Sequence, residues 1–170
     1  MKHTFALVLL SSALLAGVPQ SASATDARGQ VRVSAEDELW LDGPDGQAPK
    51  RLLAPRPHDD PRRNLSGFNN PALSPDGRVL YVLTTAWATS NALHRMDLST
   101  GTMRFLSDAN DFKLLHKGRD AGKIAVLRHV YRPEGGSEDI WFLIAADGKK
   151  LGRFTDAKSV KPRERERPNT

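Results

Sequence analysis

The sequence predicts an all-β chain: an antiparallel β-meander of two to three repeated units, left open rather than closed into a ring. Three observations predict it. Short apolar and β-branched segments alternate with turn residues along most of the chain. One stretch, 69–106, holds a full set of four such segments. Fragments of the same pattern recur on either side of it, which marks an internal repeat.

Within 69–106 the short apolar pair Ala72-Leu73 runs into Ser74-Pro75-Asp76-Gly77. Pro75 presets φ for the corner, Asp76 bonds back to the backbone, and Gly77 takes the positive φ that closes the turn. Val79 to Thr85 predicts the next strand, and Leu93 to Leu98 the one after it. The turn Ser99-Thr100-Gly101 then leads into a last strand, Met103 to Leu106. Upstream, Glu38-Leu39-Trp40-Leu41, Asp45-Gly46 and Lys50-Arg51-Leu52-Leu53 repeat the second half of this unit. Downstream, Asp139-Ile140-Trp141-Phe142, Asp147-Gly148 and Gly152-Arg153-Phe154 do the same. Aligning Leu39, Leu93 and Ile140 gives intervals of 54 and 47 residues, with Gly46, Gly101 and Gly148 at nearly constant distance behind them. Repeats of about 40–50 residues are the size of propeller blades. A closed propeller takes about four blades or more. The expectation is therefore an open or partial propeller, with nothing in the sequence to suggest a strand exchanged between chains.

The N-terminus predicts export. Lys2 and His3 precede the apolar run Phe5 to Val18, and Ala22-Ser23-Ala24 is a small-x-small cleavage site. That pattern is a secretory signal peptide over 1–24, too short and wrongly flanked to span a membrane. Cleavage after Ala24 leaves 146 residues from Thr25, expected as one β-meander domain over 25–157 and a charged tail over 158–170. No cysteine follows the apolar run to carry a lipid, and no second long apolar stretch exists. The expected place is the periplasm, without stable membrane insertion. With no cysteine anywhere, no disulfide helps the core. A chain of this size buries roughly two-thirds of its unfolded surface, enough for a core.

The formal charge of +5 is concentrated where it says least about partners. The tail holds Lys158, Lys161, Arg163, Arg165 and Arg167 against Glu164 and Glu166, while 25–157 is near neutral. A run of alternating Arg and Glu with prolines and no apolar residue after Val160 reads as a solvated end, or as a contact for an anionic surface. Export argues against nucleic acid as a partner. The segment 54–70, with its prolines and charges, reads as a long surface loop. His58-Asp59-Asp60 within it lacks the three or four dispersed ligands of a metal site. Ser66 lacks the glycine frame of a nucleophile elbow. His94 is expected to face outward on its strand, and His116 and His129 show no zinc spacing. No catalytic residue, metal or cofactor is predicted, and the chain reads as a binding protein rather than an enzyme.

The best candidate for function is a loop. Trp87-Ala88-Thr89-Ser90-Asn91 joins the two central strands of the complete unit and is read as longer than a two-residue turn. An aromatic anchor beside small polar residues is the composition of a contact surface. A second loop, Arg132-Pro133-Glu134-Gly135-Gly136-Ser137-Glu138, holds the equivalent place in the next repeat, so both tips are expected on one side. The candidate partner-binding residues are Trp87, Thr89, Ser90, Asn91, Glu134 and Ser137.

Leu73-Ser74-Pro75-Asp76-Gly77-Arg78, a strand, a Ser- and Asn-containing loop, Leu93 and Asp97-Leu98-Ser99-Thr100-Gly101 resemble the repeat of TolB-type β-propeller proteins. The same run is similar to small periplasmic immunity proteins that protect bacteria against peptidoglycan amidase toxins of type VI secretion. The resemblance implies that Thr89, Ser90 and Asn91 are presented to the active-site cleft of such a toxin. One departure is plain: those immunity proteins contain cysteines and this chain has none. The alternative implied by the TolB-type repeat alone is a periplasmic scaffold or envelope-assembly accessory that binds another envelope protein along an exposed strand edge.

Overall fold

The turns are where the fold is written most locally. At the first, Val79 N donates to Ser74 Oγ at 3.0 Å and Arg78 N to Asp76 Oδ1 at 3.1 Å, and Gly77 takes φ +69. The Ser74 hydroxyl beside Asp76 holds that carboxyl below the usual aspartate range. At the second, Asp97 Oδ1 accepts from the amides of Ser99 and Thr100 while Gly101 takes φ +72. Both geometries reverse a strand within a few residues, so antiparallel pairing follows.

The structure is a computed structural model that describes residues 29–43 and 47–155. The predicted signal peptide, the turn Asp45-Gly46 and the tail 158–170 lie outside the described residues. Among the described residues eleven strands form three antiparallel meanders. The first contains β1 (Gln30–Val33), β2 (Leu39–Asp42) and β3 (Lys50–Leu53). The second contains β4 (Asn69–Leu73), β5 (Val79–Trp87), β6 (Ser90–Asp97) and β7 (Met103–Ala109). The third contains β8 (Asp111–Leu114), β9 (Ile124–Tyr131), β10 (Ser137–Ile144) and β11 (Lys150–Arg153). Each strand pairs only with its chain neighbours, as consecutive blades of an open partial propeller do. No helix among the described residues is long and apolar enough to cross a membrane.

The sheets stack through two cores. Leu39, with Val31, Val33 and Leu53, packs against Leu80, Val82 and Met96 of the second sheet. On that sheet's opposite face Val79, Tyr81, Leu83 and Leu93 meet Phe112, Ile124, Val126 and Ile144 of the third. The run Val79 to Thr84 is consequently buried without a break, although strand side chains alternate in direction. A smaller cluster, Ala125 and Trp141 with Leu115, Leu127 and Phe154, closes the far face of the third sheet.

This two-sided burial corrects three expectations. His94 does not face outward: it is buried, turned with Val82 and Met96 toward the first sheet, with its ring 5.9 Å from that of Phe105. Alternation called one face solvent where a second sheet covers it. The segment 54–70 is more than a surface loop, and its last two residues already belong to β4. Arg56 and Leu65 exchange amide bonds of 2.7 and 3.0 Å, and Leu65 and Phe68 enter the first core. The alignment of Ile140 with Leu39 and Leu93 is out by one residue. Leu39 and Leu93 face the following sheet, whereas Ile140 shares the face of Phe142 and Ile144, turned back toward the second sheet. A slip of one in a strand exchanges its faces, so Trp141 holds the equivalent place.

Asp37, in the β1–β2 turn at φ +59, fastens the crossing segment. Its two carboxylate oxygens accept from Gly67 N at 2.6 Å and Phe68 N at 2.8 Å. Gly67 itself takes φ +64, and a Cβ there would collide with the Thr85 hydroxyl. Asp37→Ala leaves two half-buried amides without their acceptor and should cost about 2–3 kcal/mol of stability by urea unfolding. An unchanged midpoint would remove this clamp from the fold's supports.

His94 also sets a pH dependence. Burial disfavours the imidazolium and pulls its pKa from 6.5 down to about 4. The folded-state value is the lower one, so the unfolded chain binds the proton first. Stability is full above about pH 6.5 and declines as pH falls toward 4, by about 3 kcal/mol in total. In His94→Leu, urea midpoints measured across that window should fall by correspondingly less.

Candidate functional site

Two hairpins leave the same edge of the stack. β5 and β6 run to a tip of two residues, Ala88 and Thr89, with Trp87 opposite Ser90 and a bulge at Ala86. The predicted longer loop is therefore corrected. Trp87, Ser90 and Asn91 belong to the strands, because the bulge lets pairing continue to the end. Asn91 lies opposite both Thr85 and Ala109 and is half-buried; Trp87 and Thr89 are exposed.

β9 and β10 form the equivalent hairpin of the third sheet. β8 pairs with β9 only as far as Leu127, and β11 pairs with β10 only as far as Phe142. Residues 128–131 and 137–140 thus have only each other as strand partners and form a ribbon of two strands. Its five-residue tip, 132–136, is held by Arg132 N donating to Gly136 O at 3.0 Å and by an Arg132–Glu138 ion pair at 2.8 Å. That hydrogen bond to Arg132 holds the Glu138 carboxyl below its usual range. Glu134 is exposed at the tip, and Ser137 opens β10 opposite Tyr131. Across the ribbon His129 Nδ1 meets Asp139 Oδ1 at 2.8 Å, and its ring stands edge-on to the exposed Tyr131 at 5.0 Å.

The chain explains why both tips point off one edge. β7 passes to β8 through Asn110 alone, whose N donates to Leu127 O at 2.7 Å. Beside that link Arg128 and Asp108 form an ion pair at 2.7 Å between the two sheets. Glu134 and Ser137 do not line the groove beside Trp87.

Around Trp87 the structure adds residues that the sequence did not point to. The Trp87 ring lies 6.3 Å from Phe105, edge to face, and the Arg62 guanidinium sits over the Phe105 ring at 5.9 Å. With Ser90, Asp108 and Lys150 they line a groove of about 400 Å³. Its base is braced by the crossing segment, since Asn64 Nδ2 donates to Thr85 O at 2.7 Å and Thr85 N to Ser66 O at 3.0 Å. Arg62, Phe105 and Lys150 come from a loop and two different sheets, so no spacing in the sequence could join them. The result is an aromatic floor with two cations at its rim, and Asp108 committed to Arg128. Such a groove suits a protein surface carrying a carboxylate or carbonyl oxygens.

The histidines and acids flagged earlier do structural work. His58 Nδ1 accepts from Asp60 N at 2.9 Å, and Asp60 Oδ1 accepts from Arg62 N at 3.0 Å. The Ser66 hydroxyl donates to Asn64 Oδ1. Among the described residues no three histidine, cysteine, aspartate or glutamate side chains are grouped to hold a metal.

No protein-family model matches the chain, and no curated protein matches it. Among solved structures it is similar to the β-propeller domain of the Trilobed protease from Pyrococcus furiosus, described as having an open velcro topology. The identity is 12%, the TM-score 0.46, and the match covers 73% of this chain and 36% of that one.

Phe105 supports the Trp87 ring, so its removal should be visible at the tip. Phe105→Ala should cost about 2 kcal/mol and move tryptophan emission to the red as Trp87 gains water. Unaltered emission in the folded variant would show that Trp87 does not depend on this contact.

Proposed function

We propose that the protein is an exported, periplasmic binding protein without catalytic activity, and specifically an immunity-type inhibitor of a peptidoglycan amidase toxin. The observation that carries the reading is the rigid β5–β6 tip, which sets Trp87 on Phe105 next to the hydroxyls of Thr89 and Ser90. The tip is paired almost to its end and braced from below, so it loses little conformational freedom on binding. A tip of this shape fills an enzyme cleft, bonds to its catalytic groups through small hydroxyls and keeps substrate out without doing chemistry. Trp87, 36% exposed despite its size, is the anchor. Arg62 and Lys150 beside it favour an acidic rim on the enzyme. The β9–β10 ribbon, with Tyr131, Glu134 and Ser137, supplies a second contact from the same edge. The similarity of the Leu73–Gly101 run to the immunity proteins supplies the choice of an amidase.

The test is capture from the native envelope extract with tagged Thr25–Thr170, followed by an assay of wall hydrolysis. The expected result is one stoichiometric peptidoglycan hydrolase, inhibited on binding. Trp87→Ala and Ser90→Arg should each weaken that complex at least about tenfold, or 1.4 kcal/mol, with the thermal midpoint little changed. Unchanged affinity in both variants removes this tip from the interface. Recovery of several envelope proteins without a hydrolase replaces the inhibitor with a scaffold.

A further inference from the structure

Among the described residues the second and third sheets each have four strands and the first has three. The strand without a counterpart is the leading one. β2 corresponds to β6, since Leu39 and Leu93 each precede a turn glycine at nearly the same distance, Gly46 and Gly101, so β1 corresponds to β5 and no described strand corresponds to β4 or β8. Those leading strands meet each other: Asn70 Nδ2 on β4 donates to Asp111 Oδ1 on β8 at 2.8 Å. Where the first sheet's leading strand would lie, there is a groove of about 590 Å³ lined by Gln30, Val31, Pro71, Leu73, Ser74 and His116.

The edge of β1 that faces this groove is built to pair. Ser34 N donates to Glu38 O at 2.9 Å, making Ser34 and Glu38 a hydrogen-bonded couple of the β1–β2 hairpin. Hydrogen-bonded and non-bonded couples alternate in an antiparallel ladder. The main-chain groups of Arg32 therefore point to β2, while those of Val31 and Val33 point away from it. Among the described residues β1 pairs with β2 alone.

We infer that the β1 edge is a second binding site, which accepts an extended segment of four or five residues from another protein as the first sheet's missing leading strand. The sibling strands define its chemistry. β4 and β8 have five and four residues, and they place Ala72 and Leu73, and Phe112 and Leu114, into the cores. The segment is accordingly apolar at alternate positions, with its main chain supplying the affinity.

The inference rests on the proposed processing after Ala24. The turn between leading and second strands takes five residues in the second sheet, 74–78, and nine in the third, 115–123. After that cleavage only Thr25 to Gly29 precede β1, as many residues as the shorter of these turns uses. The tail 158–170 has one large apolar residue, Val160, and so lacks the alternation.

The probe is a fluorescent peptide with the sequence of residues 109–116, which contains β8, added to the processed protein of verified N-terminus. Saturable binding is expected, with slowed amide hydrogen exchange at Val31 and Val33, and no binding of a shuffled peptide. Val31→Pro removes an outward amide from an edge strand, where proline is tolerated, and should weaken binding at least tenfold without altering the circular dichroism. Trp87→Ala should leave it unchanged, which separates this site from the hairpin site. In the free protein the Val31 and Val33 amides should exchange fast. Slow exchange there, a dimer in light scattering, an N-terminus upstream of Ala24, or binding indifferent to Val31→Pro would each overturn the proposal.

Discussion

Both faces of the central sheet are dry, and the rest of the structure depends on that. Val79, Tyr81 and Leu83 are buried against one neighbour, and Leu80 and Val82 against the other. A single antiparallel sheet of short strands has one face to bury and little reason to persist alone. Stacking two more meanders on it turns each strand of β5 and β6 into a double contact. At about 1.5–3 kcal/mol for each large apolar side chain buried, these contacts supply most of the driving force. They must do so unaided, because no disulfide exists. The same burial explains why the His94 pKa falls to about 4: a charged imidazolium would lose its hydration there.

A stack held in this way leaves its edges for function. The outer faces of the end sheets carry a tryptophan with a cation above it, Arg32 over Trp40 and Lys113 over Trp141. Terminal repeats need such polar covers. What projects is confined to strand ends, where the chain reverses. The β5–β6 tip is short and braced; the β9–β10 ribbon is longer and freer of neighbouring strands. Their common direction follows from connectivity, since the direct passage from β7 to β8 brings equivalent ends of two sheets together.

Much of this was legible because turns are local. Ser74 to Gly77 and Asp97 to Gly101 each hold their own hydrogen-bond partners within about five residues, so their geometry is readable from the chain alone. The strand segments between them carried enough apolar and β-branched residues to be found. The site was legible only in part. Trp87 stood out by composition, but its partners Phe105, Arg62 and Lys150 are distant in sequence and share no motif. The loop length was misjudged because Trp87, Ser90 and Asn91 look equally at home in a tip or in a strand, and the bulge at Ala86 that decides the matter depends on pairing.

The sequence by itself determined that this chain is a β-meander with repeats of blade size, where it turns, and that its cores must hold without cross-links. Those properties depend on residues close together along the chain or on its composition. Only the tertiary structure decided which face of each strand is covered, and with it the burial of His94, the role of Leu65 and Phe68 in the crossing segment, and the true equivalence of Trp141 with Leu93. Alternation tells that a strand has two faces but not whether one sheet or two will meet them. That choice is made by the partner sheets, which lie tens of residues away.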